Sequence, residues 1–152
     1  MKKALLIIDR GSKMKEVQEE LFETCSKIKA KTDYDYIDYC FLEVLPPFIK
    51  DGVNKCLNQN VDTITVVPYF LYPGMKLKDA VTQTSRFTKN TSSKIVISKP
   101  LSYQPIISEI VLTRIRTLLS KTNIMDTNYA LLLIGHGSSD RRARDAFLYT
   151  VD

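Results

Sequence analysis

A three-layer α/β/α domain on a mainly parallel, four-stranded sheet is the fold class this sequence predicts. Three observations predict it. Short β-type runs alternate with amphipathic helical stretches, the pattern of strand–helix–strand crossovers. Residues 4–8 (Ala-Leu-Leu-Ile-Ile) are apolar throughout, as a strand buried on both faces must be. Near residue 130 the chain then starts the same pattern again.

The elements follow in order. The strand at 4–8 runs into a Gly11-Ser12 turn, where Ser12 is the expected N-cap of the next helix. Met14, Val17, Leu21, Cys25 and Ile28 recur at helical spacing. A second strand spans 33–44. Tyr34, Tyr36 and Asp38 fall on one of its faces, and Asp35, Ile37 and Tyr39 on the other. Mixed faces indicate an outer strand. Pro46 and Pro47 stop it, and Pro47 is placed to open a helix with Ile49, Val53 and Cys56 as its buried stripe. The third strand, 61–67, is rich in β-branched residues and ends at Pro68. An aromatic loop, Tyr69-Phe70-Leu71-Tyr72-Pro73-Gly74, leads to a helix over 77–88. The fourth strand is 94–98, and Ile107, Val111, Ile115 and Leu118 mark a last helix.

A polar stretch at 123–128 reads as a linker between a first unit, 1–122, and the start of a second at 129–152. Ala130-Leu131-Leu132-Leu133-Ile134-Gly135-His136-Gly137-Ser138 repeats Ala4-Leu5-Leu6-Ile7-Ile8-Asp9-Arg10-Gly11-Ser12, with six of nine positions identical. The shared Gly-Ser at the strand's end favours a duplication over a chance likeness of apolar runs. The second unit has one strand and at most one helix, so it has no sheet of its own. Fraying, docking on the first unit and exchange between subunits are its three open fates.

Bulk properties narrow the function. The chain has 152 residues, 44% hydrophobic and 26% charged, with a net charge of +5. The basic residues form no run and no nucleic-acid motif appears, so no nucleic-acid partner is expected. No apolar stretch approaches a membrane span, and Asp9 and Arg10 end the N-terminal apolar run too soon for a signal peptide. The expected location is the cytoplasm, or a plastid stroma if the gene is organellar. Cys25, Cys40 and Cys56 are odd in number, far apart and in no CxxC pair, which suits buried free thiols.

Several residues could carry chemistry. His136, the only histidine, follows an apolar run between two glycines. The ends of parallel strands are where open α/β sheets place ligands, and an imidazole there can bind metal or accept a proton. Glu43 closes Phe41-Leu42-Glu43 at another strand end, where a carboxylate can do either. Arg10 and Lys76 fall at the same edge and can pair with carboxylates. Tyr69, Phe70 and Tyr72 can stack on a flat ring or simply pack the loop. Ser12 and Ser138 lack the elbow and the histidine spacing of a hydrolase, and no dinucleotide or P-loop glycine pattern is present.

Together these motifs resemble the class II tetrapyrrole chelatases of the sirohydrochlorin type. Gly135-His136-Gly137-Ser138-Ser139-Asp140-Arg141-Arg142-Ala143 looks like their opening motif. Phe41-Leu42-Glu43 is similar to their second-strand motif. Val66-Val67-Pro68-Tyr69-Phe70-Leu71-Tyr72-Pro73-Gly74 with Lys78-Asp79 resembles their third strand and substrate loop, and Lys99-Pro100-Leu101 the close of one repeat. The resemblance implies a chelatase-like fold, often paired by duplication or dimerisation. It also implies a lyase that inserts Co²⁺ or Fe²⁺ into a tetrapyrrole, in cobalamin or sirohaem biosynthesis. The metal would be a substrate, with no cofactor permanently bound. By the resemblance His136 and Glu43 are the catalytic and metal residues, and Arg10, Lys76, Tyr69 and Tyr72 bind the tetrapyrrole.

The first repeat departs from that pattern. Arg10 and Lys76 stand where the family carries its two histidines, and of that trio only Glu43 is kept. Two cations beside Glu43 would hold its carboxylate and repel a divalent metal. His136 keeps the motif in the second repeat. An inactive tetrapyrrole-binding domain or subunit is therefore the alternative expectation.

Overall fold

The computed structural model describes residues 1–122 and 130–151. The expected linker at 123–128 lies outside them. Four strands form one parallel sheet: β1 (Lys3–Asp9), β2 (Tyr36–Phe41), β3 (Thr63–Pro68) and β4 (Lys94–Ile97), in the order β2-β1-β3-β4. Strand β2 is an edge, as its mixed composition predicts. The helices are α1 (Lys15–Lys31), α2 (Ile49–Leu57), α3 (Met75–Thr88), α4 (Pro105–Lys121) and α5 (Arg141–Val151).

Strand alternation splits the core into two layers. Ala4, Leu6 and Ile8 of β1 join Cys40, Ile64 and Val66 under α2 and α3, which contribute Ile49, Val53, Cys56 and Ala80. Leu5, Ile7 and Phe41 face the other way, against Leu21 and Cys25 of α1. Burying each such aliphatic side chain is worth roughly 1.5–3 kcal/mol, so the central strand anchors both layers at once.

Several local expectations change. Strand β2 is shorter than 33–44, because residues 33–35 are spent on side-chain ties. Asp33 binds the Lys3 ammonium at 2.7 Å, and the Asp35 carboxylate takes the Lys3 N–H at 2.7 Å. Tyr34 thus lies before the strand and packs on the α1 layer, donating its hydroxyl to Thr65 Oγ1 at 3.0 Å, on the face opposite Tyr36. Ser12 is not the N-cap of α1. Met14 is, and Ser12 Oγ instead accepts the Met14 N–H at 3.1 Å. Pro47 does not open α2. The Pro46–Pro47 bond is cis, Phe48 is the N-cap, and Asp51 caps its N–H at 2.9 Å.

Two expectations about the last elements are corrected. The second apolar run forms no strand among the described residues, and Leu132 and Ile134 are 80% and 83% exposed. It pairs with none of the four strands among the described residues, so its backbone gains no ladder bonds. The sheet is also not evenly covered on both faces. Helix α4 buries none of its residues, and Val96 of β4 stays 41% exposed. Helix α4 instead meets α5, with Ser108 Oγ donating to the Thr150 carbonyl at 3.2 Å. Helix α5 thus rests on α4, while Leu132 and Ile134 stay in solvent.

Candidate functional site

The strand order reverses between β1 and β3, and the crevice beyond their C-terminal ends is the expected ligand position of an open parallel sheet. Backbone pairing shapes its floor. Leu42 N–H donates to Asp9 O at 2.8 Å and Glu43 N–H to Arg10 O at 3.1 Å, so β1 and β2 stay paired one step past the sheet. Gly11, at φ +97°, allows this approach, since a Cβ there would lie 2.2 Å from the Glu43 carbonyl oxygen. Val44 follows at φ 77°, a costly conformation for a β-branched residue. Backbone strain therefore sits next to Glu43.

The three first-repeat positions converge. Arg10 Nε donates to Glu43 Oε1 at 2.9 Å and Lys76 Nζ to Glu43 Oε2 at 2.6 Å. Hydrogen bonds from Lys76 and then Arg10 hold the Glu43 carboxyl below its ordinary pKa. The clamp ties the start of α3 to the end of β1.

Beside the clamp lies a cavity of about 590 Å³, a size ordinary for a small-molecule site. One wall is the loop after β3 and the start of α3, with Phe70, Tyr72 and Lys76. The other is the second-repeat turn and α5, with His136 and Phe147. Tyr72 and Phe147 meet edge to face, 6.4 Å between centroids. The wall is docked by Tyr103 against Tyr149 at 5.3 Å and by Asp140, which bonds Arg142 at 2.7 Å and Lys78 at 3.7 Å. Arg142 in particular keeps the Asp140 carboxyl ionised well below the usual range.

The structure thus brings His136, Lys76 and Tyr72 to one cavity and sets Arg10 and Glu43 behind Lys76, outside its lining. Tyr69 does not join them. It lines a separate depression with Asp9, Val17 and Glu20, because it continues the β3 alternation on the α1 side while Phe70 takes the cavity side. Phe147 and Arg144 line the cavity without having been singled out in the sequence. The i, i+4 spacing of Ala143 and Phe147 is the signal that could have found that wall.

A parallel α/β sheet with a ligand-sized cavity beside its switch point is the architecture of a small-molecule-binding α/β protein. The CbiX family model matches residues 4–118. The chain belongs to the CbiX family. The sirohydrochlorin cobaltochelatase of Sulfolobus acidocaldarius is 31% identical over 107 residues, 70% of this chain and 85% of that protein. The chloroplastic sirohydrochlorin ferrochelatase of Arabidopsis thaliana is 30% identical over 118 residues, 76% of this chain and 52% of that protein. Thus this chain matches most of the archaeal relative's length but only about half of the plant one's. Among solved structures, SirB from Bacillus subtilis with Fe³⁺ superposes on 99% of this chain and 59% of its own, with a TM-score of 0.85 and 27% identity.

Proposed function

We propose that this protein is a sirohydrochlorin chelatase-type lyase that inserts Co²⁺ or Fe²⁺, as substrate, into a tetrapyrrole of cobalamin or sirohaem biosynthesis. The observation that carries the reading is the cleft in which His136 faces aromatic side chains and Lys76 across about 590 Å³. Family membership and the names of the relatives support it.

In this reading the flat ring enters between the loop wall and Phe147, with Tyr72 against its face. His136 meets the incoming metal and takes up a pyrrole proton. Inserting a divalent ion displaces two N–H protons from the ring, so a second base is needed. Glu43 is that base. Its two oxygens are held by Arg10 and Lys76, and a ligand carboxylate that draws Lys76 away frees one of them. Arg10 and Lys76 then serve the carboxylate periphery of the ligand. Residues 1–122 act as a first repeat and 129–152 as the start of a second, which supplies the histidine. Pairing of copies belongs to the same reading, and light scattering tests it. No described helix is long and apolar enough to cross a membrane, and we assign the reaction to the cytoplasm or a plastid stroma.

One observation favours the second reading, a tetrapyrrole-binding subunit without activity. Among the described residues no group of three or more His, Cys, Asp or Glu could hold a metal, and Glu43 is already paired twice. Titration with sirohydrochlorin, followed by anaerobic Co²⁺ or Fe²⁺, separates the two. Metallation above the spontaneous rate, reduced about a hundredfold or more in His136→Ala, is the expected result. Because His136 is exposed, the thermal midpoint should not move. Binding without metallation would select the second reading, and no binding would remove both.

A further inference from the structure

We infer that Arg144 anchors a carboxylate of the ligand in this cleft and so sets which edge of a flat, polyanionic ring faces His136. The inference rests on the reading of the cleft just given and extends it to a residue outside the chelatase motifs.

Geometry puts Arg144 at the cavity. Ala143, Arg144 and Phe147 are the α5 residues that line it, and their i, i+1, i+4 spacing defines one helix face. Ala143 is buried and Phe147 half-buried, which fixes that face, while Arg144 itself is exposed. Its side chain therefore belongs at the mouth and not in the floor.

Charge accounting then singles it out. The cavity lining contains no Asp or Glu, and its lysine and arginine are Lys76 and Arg144. Lys76 must first leave Glu43, at 2.6 Å, to meet a ligand carboxylate, and among the described residues Arg144 has no such pair to break. Close by, Arg142 and Lys78 are both spent on Asp140. Among the described residues no carboxylate lies within ion-pair distance of Arg144. Among the described residues the cleft thus offers an anion one guanidinium that no carboxylate engages, at the mouth of an apolar cavity. A guanidinium can also grip a carboxylate with two parallel N–H bonds, which fixes orientation as well as position. Counting from the shared Gly-Ser turn, the first repeat has Gln18 at the matching helix position, so this cation belongs to the second wall alone.

The ligand chemistry follows from the same wall. Aromatic rings at Phe70, Tyr72 and Phe147 suit the faces of a flat macrocycle, and a cation at the mouth suits carboxylates on its rim. With one rim carboxylate fixed on Arg144, rotation of the ring in its own plane is restricted. A defined pair of pyrrole nitrogens then faces His136.

The test uses the full chain and sirohydrochlorin, with binding followed by absorbance. Arg144→Gln should weaken binding about tenfold or more, and Arg144→Lys should lose less, because it keeps the charge without the fork. Arg116→Gln, which removes the same charge from the exposed side of α4, should stay within about twofold of wild type. The permethyl ester of the ligand should bind the wild type and Arg144→Gln equally. Arg144→Gln binding the free acid as tightly as wild type would overturn the assignment while leaving the cleft reading intact. Equal weakening of acid and ester would also overturn it, by showing lost packing. A wild-type chain that binds neither form would overturn both.

Discussion

The turns at 9–12 and 135–138 share a Gly-Ser and follow nearly the same apolar run, yet the molecule treats them in opposite ways. Ala4 to Ile8 lie in a strand with a neighbour on each side and almost no exposed surface. The matching run at 130–134 pairs with nothing among the described residues and leaves Leu132 and Ile134 in solvent. Strand propensity is the same in both. What differs is the presence of adjacent strands to take the backbone bonds, so β structure here is set by context more than by local sequence. Chemistry divides the same way. The turn built into the sheet carries an arginine locked to Glu43, and the open turn carries the histidine that faces the cavity.

The comparison can be broken at its strongest point first. Leu6→Ala should cost about 3 kcal/mol in urea unfolding, because Leu6 is wholly buried, whereas Leu132→Ala should cost less than about 0.5 kcal/mol. Similar losses at the two sites would mean the second run is packed as well as the first. Next come the glycines. Gly11→Ala combines a positive φ with a clash against the Glu43 carbonyl oxygen and should cost about 3 kcal/mol. Gly137→Ala meets nothing within 4 Å and should pay only for its φ of +81°, about 1 kcal/mol.

The smallest expected effect lies in the clamp. The pKa of Glu43 is lowered in the folded state, so the clamp's contribution is complete above the ordinary glutamate value and is lost as pH falls through the depressed one. Glu43→Gln should flatten that acidic stretch of the stability profile and leave the neutral plateau's slope unchanged. A profile identical to wild type would show that the clamp contributes nothing to folding, as exposed pairs often do not.

Much of the architecture was legible because it rests on periodicity. The runs at 4–8 and 61–67 and the stripes at Met14–Ile28 spacing report burial directly, and all four strands and the four helices between residues 14 and 121 form where those patterns lie. The misreadings concern things periodicity does not encode. The N-cap moved from Ser12 to Met14, whose N–H Ser12 Oγ accepts, and α2 starts after Pro47, whose carbonyl accepts the Phe41 N–H of β2. For the site, the resemblance to the chelatase motifs indicated that Arg10, Glu43 and Lys76 share one place, and they do meet. Which of two consecutive aromatic residues faces the cavity depends on where the β3 alternation stops, so Phe70 and not Tyr69 lines it. Arg144 and Phe147 sit on a helix whose docking partner cannot be read from its own sequence.

The three cysteines have a practical consequence. None is paired and all are buried, Cys25 in the α1 layer, Cys40 and Cys56 in the α2–α3 layer. Burial pushes the Cys25 thiol up to about 11 and Cys56 to about 12, so neither is a thiolate at neutral pH. Alkylation must then wait for the chain to open. Timed labelling with an alkylating reagent, read peptide by peptide, would clock the opening of each layer separately in the unaltered protein. Should Cys25 be modified well before Cys40 and Cys56, the layer that α1 covers alone is the first to come apart.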